Sequence, residues 1–546
     1  MEILAKEHGI LPGSDCTKAL GRLLSSLSEG DEEKTLIFEK GCYHLNRADS
    51  AYVYRAITNT SAKEEYSDKA LVNMHYTPFL FENIKNLTIE GAGSTFIIDG
   101  KVTNAIISSC ENLTLKNFTT KTLMPNMHKL TVLSAAQLYA DFSLSTDSAY
   151  AKDSGSYYWY GNGYKLGFFE NKERAFWTAG IKPSDENRIF RTAHPFMGAV
   201  KIEERSPYVF RVYYLLPKAF KSGQTFYVFD AHRSDAGIFV EKSKNISLYN
   251  LTQNFNYSLA FAAQDSENLT VEDCRFVPPE NSGIQLASLA DFMQICMCAG
   301  TISIRNNYFD GAADDALNVH GIYFSVDSVN GKKITLSFRH PQSWGFNTLH
   351  KGDRIEFINP KTLLSVDENL ITGSEMKDDY HIELTLEKKV SQSYTSYVIE
   401  DTVRCPELIF ENNTLNRIIT RGILYTSRGK CIIRSNRFIS NSMSGILLSD
   451  NANNWYESGM CRNVTIENNL FEYCGETPVL IKPENRVYGG AVHSSISITN
   501  NVFENYKGYC ICAQSSSELT ISGNTFAGGK SVKTTNCTNV KCDCAR

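Results

Sequence analysis

The chain has 546 residues, of which 42% are hydrophobic and 11% aromatic, and its formal net charge is −5. This composition predicts a folded protein with a large core, and a chain without a basic block is not expected to bind nucleic acid or an anionic membrane. No run of about 18 apolar residues is present, so we expect no membrane-spanning helix.

The first residues and the cysteines both bear on the cellular compartment. The N-terminal residues lack the basic, apolar and small-residue order of a signal peptide. Most of the 15 cysteines fall in predicted strands, where a free thiol packs as a small apolar group. These features predict a cytoplasmic protein with reduced thiols. Near the C-terminus, Cys537, Cys542 and Cys544 have neither a CxxC spacing nor a nearby His, so we expect no metal there.

A short amphipathic helix is predicted near the N-terminus, in the stretch TKALGRLLSSL that follows Asp15. Asp is a favoured N-cap residue, and the apolar residues of the stretch recur at helical spacing. They are Ala19, Leu20, Leu23, Leu24 and Leu27. Such a helix would cover the open first edge of a stack of strands.

A short pattern then recurs: apolar, polar, apolar, two polar residues, Asn, any residue, and Phe or Leu. Its shortest spacing is 23 residues, from Phe410 to Ile433 and from Ile498 to Ile521. A unit of this length with strand periodicity is one coil of a parallel β-helix, a solenoid in which each coil pairs with its neighbours. The sequence therefore predicts an all-β protein built on a parallel β-helix.

The repeat places asparagines in register on successive coils. Asn tolerates the left-handed backbone of a turn and can bond the Asn of the next coil, so we predict a ladder with stacked phenylalanines beside it. The ladder asparagines are Asn307, Asn413, Asn436, Asn469, Asn501 and Asn524. Five other asparagines begin N-x-S/T triplets at one place in the repeat, and we interpret them as strand residues, not glycan acceptors: Asn86, Asn112, Asn245, Asn268 and Asn463.

Changes of pattern along the chain predict six segments, two of which alternate in polarity like small inserted β-barrels or β-sandwiches. The segments are an N-terminal cap with the first coils (1–124), inserted module 1 (125–234), coils with an acid cluster (235–321), inserted module 2 (322–404), C-terminal coils (405–530) and a loose tail (531–546).

The coil from 285 to 321 carries charges that packing alone does not require. Asp314 and Asp315 stand together in an apolar run that also holds Asp291, although Asp is a poor strand former and adjacent acids repel each other. Counting from the Phe or Leu of each coil, Asp315 and Arg421 both lie six residues on. We therefore expect them side by side on adjacent coils, which stack about 4.8 Å apart.

The longer coils carry further polar and aromatic candidates for substrate binding. Asp450, Trp455 and Glu457 stand in one extra segment, and Asn318 and His320 follow the acid pair. We expect Arg421 and Glu457 to form hydrogen bonds to sugar hydroxyl groups. Each of these residues also has an ordinary structural interpretation, such as core packing for the Trp or a satisfied strand position for the His.

Three acids beside an aromatic side chain suit glycoside hydrolysis. One acid must be protonated to give a proton to the leaving oxygen, and another must be ionised to activate water. Repulsion among the acids raises one pKa, which allows an Asp to hold a proton near neutral pH. An inverting enzyme would separate the carboxyl of Asp314 from that of a partner by roughly 6.5–9.5 Å, whereas about 5 Å would indicate retention.

Longer runs resemble one enzyme family. ADFMQICMCAGTISIRNNYFDGAADDALNVHGIY, followed by HPQSWGF, TRGILYTSRGK and DNANNWYESG, resembles the family 110 glycoside hydrolases, the α-1,3-galactosidases. The resemblance covers most of the chain and implies a right-handed β-helix related to that of polygalacturonases, with no cofactor or metal. It also implies an inverting exo-enzyme that releases terminal α-1,3-linked galactose, with Asp314 as general acid and Asp291 with Asp315 activating the water.

Several alternatives stay open. One branch of the family accepts fucosylated blood-group-B structures and another is confined to linear galactosides, and a homodimer is possible. A polygalacturonase has similar coils and acids, but its anionic polymer needs a basic groove, and this chain offers only Arg421 and Arg428 near the site. A non-catalytic β-helical glycan-binding protein would use the aromatic and polar residues but has no need of three converging acids.

Overall fold

A computed structural model describes residues 1–60, 73–168, 177–182, 185–230, 233–280, 282–340, 342–528 and 530–543. Strands dominate these residues, and they contain one α-helix, α1 (Thr17–Ser26). Within the described ranges, two 3₁₀ helices span Ala5–His8 and Gln392–Ser396. No helix within these ranges is long and apolar enough to cross a bilayer.

Helix α1 buries its leucine face, as its spacing predicts. Its N-cap residue is Cys16, so the prediction that Asp15 occupies the N-cap is wrong. Asp15 still stabilises the first turn, because its Oδ1 accepts a hydrogen bond from the Thr17 backbone N at 3.0 Å.

The first coils of the solenoid lie within residues 2–122. Their strands are β1 (Glu2–Leu4), β2 (Lys34–Ile37), β3 (Cys42–Asn46), β4 (Ala51–Tyr54), β5 (Met74–Thr77), β6 (Phe79–Glu82), β7 (Lys85–Asp99), β8 (Ala105–Ser108) and β9 (Glu111–Thr122). Strands β4 and β5 pair antiparallel with each other, and the others belong to two parallel sheets. The chain thus leaves the solenoid between β3 and β6.

Residues 127–229 form the first inserted module. Its strands are β10 (Met127–Ala135), β11 (Tyr139–Leu144), β12 (Tyr150–Asp153), β13 (Ser156–Gly161), β14 (Tyr164–Gly167), β15 (Trp177–Lys182), β16 (Asp185–Thr192), β17 (Ala199–Ser206), β18 (Val209–Tyr214) and β19 (Thr225–Phe229). Seven of them make one antiparallel sheet, and β12, β13 and β14 make a second. The two sheets share a core around buried Trp159 and Phe142, which is the sandwich that the alternating pattern predicts.

The next coils carry the acids. Their strands are β20 (Ala236–Glu241), β21 (Lys244–Gln253), β22 (Leu259–Gln264), β23 (Glu267–Glu272), β24 (Arg275–Phe276), β25 (Met293–Cys296), β26 (Ala299–Arg305), β27 (Tyr308–Asp310) and β28 (Leu317–Ile322). Strands β22, β25 and β28 are consecutive parallel neighbours in a sheet of 12 strands.

The second inserted module is a closed barrel. Its strands are β29 (Phe324–Asn330), β30 (Lys333–Phe338), β31 (Arg354–Asn359), β32 (Leu364–Met376), β33 (His381–Leu386) and β34 (Val398–Asp401). They close in the order β29-β30-β33-β32-β31-β34, so the prediction of a small barrel here is confirmed.

Regular coils follow to the end of the described chain. Their strands are β35 (Glu407–Glu411), β36 (Thr414–Asn416), β37 (Ile423–Thr426), β38 (Cys431–Arg434), β39 (Arg437–Ile439), β40 (Ile446–Leu448), β41 (Glu457–Ser458), β42 (Arg462–Glu467), β43 (Leu470–Glu472), β44 (Val479–Ile481), β45 (His493–Thr499), β46 (Val502–Glu504), β47 (Tyr509–Gln514), β48 (Ser516–Ser522), β49 (Thr525–Ala527), β50 (Lys530–Thr535) and β51 (Thr538–Cys542).

The prediction of a loose tail over 531–546 is wrong for the described residues 531–543. Strands β50 and β51 pair in parallel with β47 and β48, and Val532 packs against the core, so these residues add one more coil. Cys537 and Cys542 have free thiols, whereas Cys544 lies outside the described residues.

The predicted asparagine ladder runs through the solenoid. Each Asn Nδ2 donates to the Oδ1 of the next Asn at 2.9–3.2 Å, from Asn307 to Asn524. Phenylalanine rings stack beside it with centroids 4.7–5.3 Å apart. The left-handed backbone falls on the residue before the ladder position, such as Asn306 with φ 56° and Asn412 with φ 57°. The prediction that the ladder residues themselves take that conformation is therefore wrong.

Candidate active site

Three charged residues occupy the same place on three neighbouring coils, just before strands β25, β28 and β37. These strands pair in parallel and in register, so Asp291, Asp315 and Arg421, each two residues before the first paired residue, stack as a column. The Asp315 N–H donates to Asp291 Oδ1 at 2.9 Å, and the Arg421 N–H donates to Asp315 Oδ1 at 2.9 Å. We call these three residues the charged column. The predicted adjacency of Asp315 and Arg421 is confirmed.

Asp314 directly precedes Asp315 in the chain and brings a third carboxylate beside the two acids of the charged column. One carboxylate oxygen of each of Asp291, Asp314 and Asp315 lies within 4.8 Å of the others. Thr420 Oγ1 lies 3.1 Å from Asp314 Oδ1 and donates to Asp315 Oδ1. These oxygens are closer than the roughly 6.5–9.5 Å predicted for an inverting pair, so that prediction is wrong, and the spacing by itself would indicate retention.

Three arginines surround the acids, and two of them come from outside the β-helix coils. Arg421 Nε donates to Asp315 Oδ1 at 2.9 Å. Arg233, in the segment that returns from the first inserted module, donates to Asp314 Oδ2. Arg191, near the end of β16, has its Nη2 3.4 Å from the same oxygen. Positive charge therefore reaches Asp314 from two separate segments.

The charges separate the pKa values of the acids. Burial, reinforced by the carboxylates of Asp314 and Asp315, raises the pKa of Asp291 well above its usual value. Burial also raises the pKa of Asp315. Burial acts in the same direction on Asp314, but the guanidinium groups of Arg233 and Arg191 outweigh it and lower the pKa of that carboxyl. In this arrangement Asp291 is the acid best placed to hold a proton, and Asp314 is ionised.

A long coil and the inserted barrel supply another wall. Asn318 Nδ2 donates to Glu457 Oε1 at 3.1 Å, and Trp455 lies at the rim with 50% of its surface exposed. His340 Nδ1 accepts a hydrogen bond from the Gln342 N–H at 3.0 Å, so its proton is on Nε2, which lies 4.0 Å from Glu457 Oε1. Burial lowers the pKa of His340 to about 3, so this ring is neutral.

These walls enclose a cavity of about 330 Å³. The three acids and the three arginines line it, together with Trp455 and Glu457. Asn59, from the segment between β4 and β5, and Gln342, from the barrel, complete the lining. A concave site of this size with a few converging polar groups is typical of small-ligand binding.

Comparison with known proteins decides the family. Residues 333–396 match the GLAA-B beta-barrel domain II, and residues 398–532 match the right handed beta helix region. The alpha-1,3-galactosidase A of Bacteroides thetaiotaomicron is 34% identical over 475 residues, which cover 86% of this chain and 81% of that protein. The chain belongs to the α-1,3-galactosidase family.

More distant members of the family extend over a similar share of the chain. The alpha-1,3-galactosidase A of Bacteroides fragilis is 28% identical and covers 90% of this chain and 82% of its own length. The alpha-1,3-galactosidase B of Phocaeicola vulgatus is 25% identical and covers 95% and 89%. The resemblance to family 110 glycoside hydrolases is confirmed, and so is the right-handed β-helix.

Two predicted site residues of this α-1,3-galactosidase homologue lie outside the cavity. His320 is buried where its Nδ1 donates to Gly321 O at 2.8 Å, and its ring faces that of His340. Asp450 is fully buried, and burial together with the nearby Glu400 raises its pKa well above the usual value. The inserted barrel covers both side chains, so the prediction that they contact substrate directly is wrong.

Several residues of the cavity escaped the sequence patterns: Asn59, Arg191, Arg233, Gln342 and Thr420. Thr420 precedes Arg421 in the repeat, so the register count that identified Arg421 extends to it. The other four residues stand in insertions. The repeat pattern does not predict where an insertion folds against the coils.

Three close carboxylates are also a donor set for a hard cation. In this family member, Arg421 and Arg233 are bonded to Asp315 and Asp314. Fixed guanidinium groups therefore already balance much of the acidic charge, and the arrangement fits acid–base chemistry better than ion binding.

Proposed function

We propose that the protein is an exo-acting glycoside hydrolase that releases terminal α-1,3-linked galactose from glycans with inversion. The observation that carries this proposal is the convergence of Asp291, Asp314 and Asp315 in one cavity beside Trp455. Paired carboxyl groups are the acid and base of glycoside hydrolysis. The names of the relatives, alpha-1,3-galactosidase A and B, support the choice of sugar and linkage.

The shape of the cavity supports exo-action. Asn59, Arg191 and Gln342 reach it from three separate insertions into the β-helix. A β-helix without such insertions presents a long open surface to a polymer, whereas this cavity of about 330 Å³ is confined. A confined site favours the end of a glycan chain over its interior.

The proposed roles and the inversion follow the family resemblance, because the carboxylate spacing within 4.8 Å would by itself favour retention. Asp314 gives its proton to the glycosidic oxygen as the bond from that oxygen to the galactose C1 breaks. A water held by Asp291 and Asp315 forms the new bond to C1, and its proton passes to one of these two carboxylates. Two oxygens within 4.8 Å of each other can both accept from one water, because each such hydrogen bond spans about 2.7–2.8 Å.

This assignment requires a proton transfer before the chemical step. Arg233 and Arg191 keep Asp314 ionised, and Asp291 holds the proton. Binding of substrate therefore has to accompany movement of that proton to Asp314, with the O–H bond on Asp291 broken and a new one formed on Asp314. The 4.8 Å limit between their nearest oxygens is short enough for one water to relay it.

Other lining residues suit a sugar. Trp455 offers an exposed aromatic face at the rim, and the paired side chains of Asn318 and Glu457 offer hydrogen bonds to hydroxyl groups. We propose that these three residues bind substrate. Arg421 is committed to Asp315, which it orients.

The decisive experiment offers three substrates to the purified protein: α-1,3-galactobiose, a blood-group-B trisaccharide and polygalacturonate. Proton NMR during the first turnovers then identifies the product and its anomer. Release of galactose as the β-anomer supports the proposal, and release as the α-anomer contradicts inversion.

The same experiment separates the rival functions. Cleavage of polygalacturonate alone would establish a pectin hydrolase. Binding of galactosides without cleavage would establish a glycan-binding protein. Comparison of the branched trisaccharide with the linear disaccharide shows which glycans the cavity accepts.

A further inference from the structure

Asn59 forms hydrogen bonds to two charged residues of the active site, Asp291 and Arg233. Its Nδ2 donates to Asp291 Oδ2 at 2.9 Å, and its Oδ1 accepts from Arg233 Nη1 at 3.3 Å. Arg233 in turn donates to Asp314. We propose that Asn59 is a positioning residue that couples Asp291 to Arg233 and so fixes how a proton is shared between Asp291 and Asp314.

The backbone explains why an asparagine stands here. Asn59 has φ 57°, in the left-handed region that Asn and Gly tolerate and most other residues avoid. The neighbouring Thr58 N–H donates to Gln264 Oε1 at 2.9 Å, and the Asn59 N–H donates to Ser343 Oγ at 3.2 Å. A coil and the barrel therefore hold this segment from two sides, and the side chain, 6% exposed, enters the site in a fixed orientation.

The charged groups around Asp291 define what Asn59 does. Asp314 and Asp315 face Asp291 and favour its protonated form, while Arg233 opposes them. The Asn59 amide and the Asp315 backbone N–H are neutral donors to the Asp291 carboxylate, and an N–H donated to a carboxylate stabilises the ionised form. The Asn59 side chain also accepts from the guanidinium group that holds Asp314 ionised. Its loss therefore shifts the balance between the two acids.

Two substitutions keep the left-handed backbone and change the side chain. Asn59→Gly removes both contacts, and Asn59→Asp replaces the donor with a carboxylate beside Asp291. We expect both to raise the titration midpoint of Asp291, the second by about one pH unit or more, the usual effect of a charge at this distance. The measurement is a ¹³C NMR titration of the full chain labelled at aspartate Cγ, with Asp291 assigned by comparison with Asp291→Asn.

A matched control shows whether the shift depends on this site. Asn86 has φ 54° and is partly buried on the first coils, far along the chain from the acids, so Asn86→Gly makes the same backbone change elsewhere and is expected to leave the midpoint unchanged. An unchanged Asp291 midpoint in Asn59→Asp and Asn59→Gly would overturn the proposal. If Asn59→Asp does not fold, Asn59→Gly carries the test by itself.

The consequence for catalysis rests on the proposed function and is measured separately. We expect kcat/KM of Asn59→Gly to fall about tenfold or more, the usual effect of losing a hydrogen bond to a charged group. The basic limb of the pH profile should move to higher pH, because Asp291 holds the proton that Asp314 must receive before it can act as the general acid. A lower rate with an unmoved pH profile would indicate a merely structural role. The titration needs no substrate, so a shifted midpoint in a protein that cleaves no galactoside would contradict the proposed function alone.

Discussion

The position of the charged column recurs on the coils before and after it, and the side chains there differ sharply in charge from those of the column. Successive coils place these residues at the same position: Leu259, Asp291, Asp315, Arg421, Ser444 and Thr477. The coils on either side have an apolar or a small neutral residue at this position. The three coils between them hold charges instead, although all of these strands pair in the same register.

This difference separates what the scaffold needs from what the site adds. On neighbouring coils of the solenoid the same position is filled by Leu259 or by Ser444, and both side chains are buried. Burying carboxylates there costs free energy unless each finds a partner, and Arg421 with the backbone N–H groups supplies those partners. The charges therefore serve the cavity, and substitutions can remove them without removing the coils.

The largest effect is expected where the acid beside the column is removed. The amide of Asn cannot act as a general acid, because its N–H protons are not acidic. Asp314→Asn should therefore lower kcat by about a hundredfold to ten-thousandfold, the usual contribution of acid catalysis. Turnover on α-1,3-galactobiose is the measurement, with circular dichroism to verify the fold. Asp310 is a matched control, because it is a nearby acid bonded to Arg417. Asp310→Asn should keep its activity, and near-normal turnover in Asp314→Asn would contradict the mechanism.

A second substitution makes one charged coil resemble its neighbour. Arg421→Ser introduces the residue of the next coil and leaves Asp315 buried without its guanidinium partner. Loss of one member of a buried pair costs about 3 kcal/mol or more, so we expect a clear fall in the midpoint of urea denaturation. The double variant Asp315→Asn with Arg421→Ser should recover most of that loss while remaining inactive. A single variant as stable as the natural protein would show that the pair is not needed for folding.

A third test uses the pKa of Asp291, which burial and the neighbouring carboxylates raise in the folded state. Between the unfolded value of about 3.9 and the raised folded value, the folded protein binds more protons than the unfolded chain. Its stability contribution is therefore present below that range and is lost as the pH rises through it. Asp291→Asn removes this dependence, so the variant should gain stability relative to the natural protein from pH 4 to pH 8. Parallel pH dependences of the two denaturation midpoints would contradict the raised pKa.

The difference between regular coils and insertions explains which features could be predicted from the sequence. The repeat revealed the solenoid, the asparagine ladder and the adjacency of Asp315 and Arg421, because each is a matter of register between coils. Asn59 and Arg233 could not be found in this way, since their contacts depend on where insertions fold back. Asp450 was misplaced for the same reason, because the inserted barrel covers it.

The smallest effect is expected at the rim, where Trp455 belongs to a lengthened coil and leaves half of its surface to solvent. Trp455→Ala removes an apolar face from bound sugar, and losing such a contact corresponds to roughly a tenfold rise in KM. The acids are untouched, so kcat should change little. Tyr160, 43% exposed on the first inserted module, provides the control, and Tyr160→Ala should leave both constants unchanged. If Trp455→Ala lowers kcat and leaves KM unchanged, the residue acts on the chemical step. That result would contradict the assignment of Trp455 to substrate binding alone.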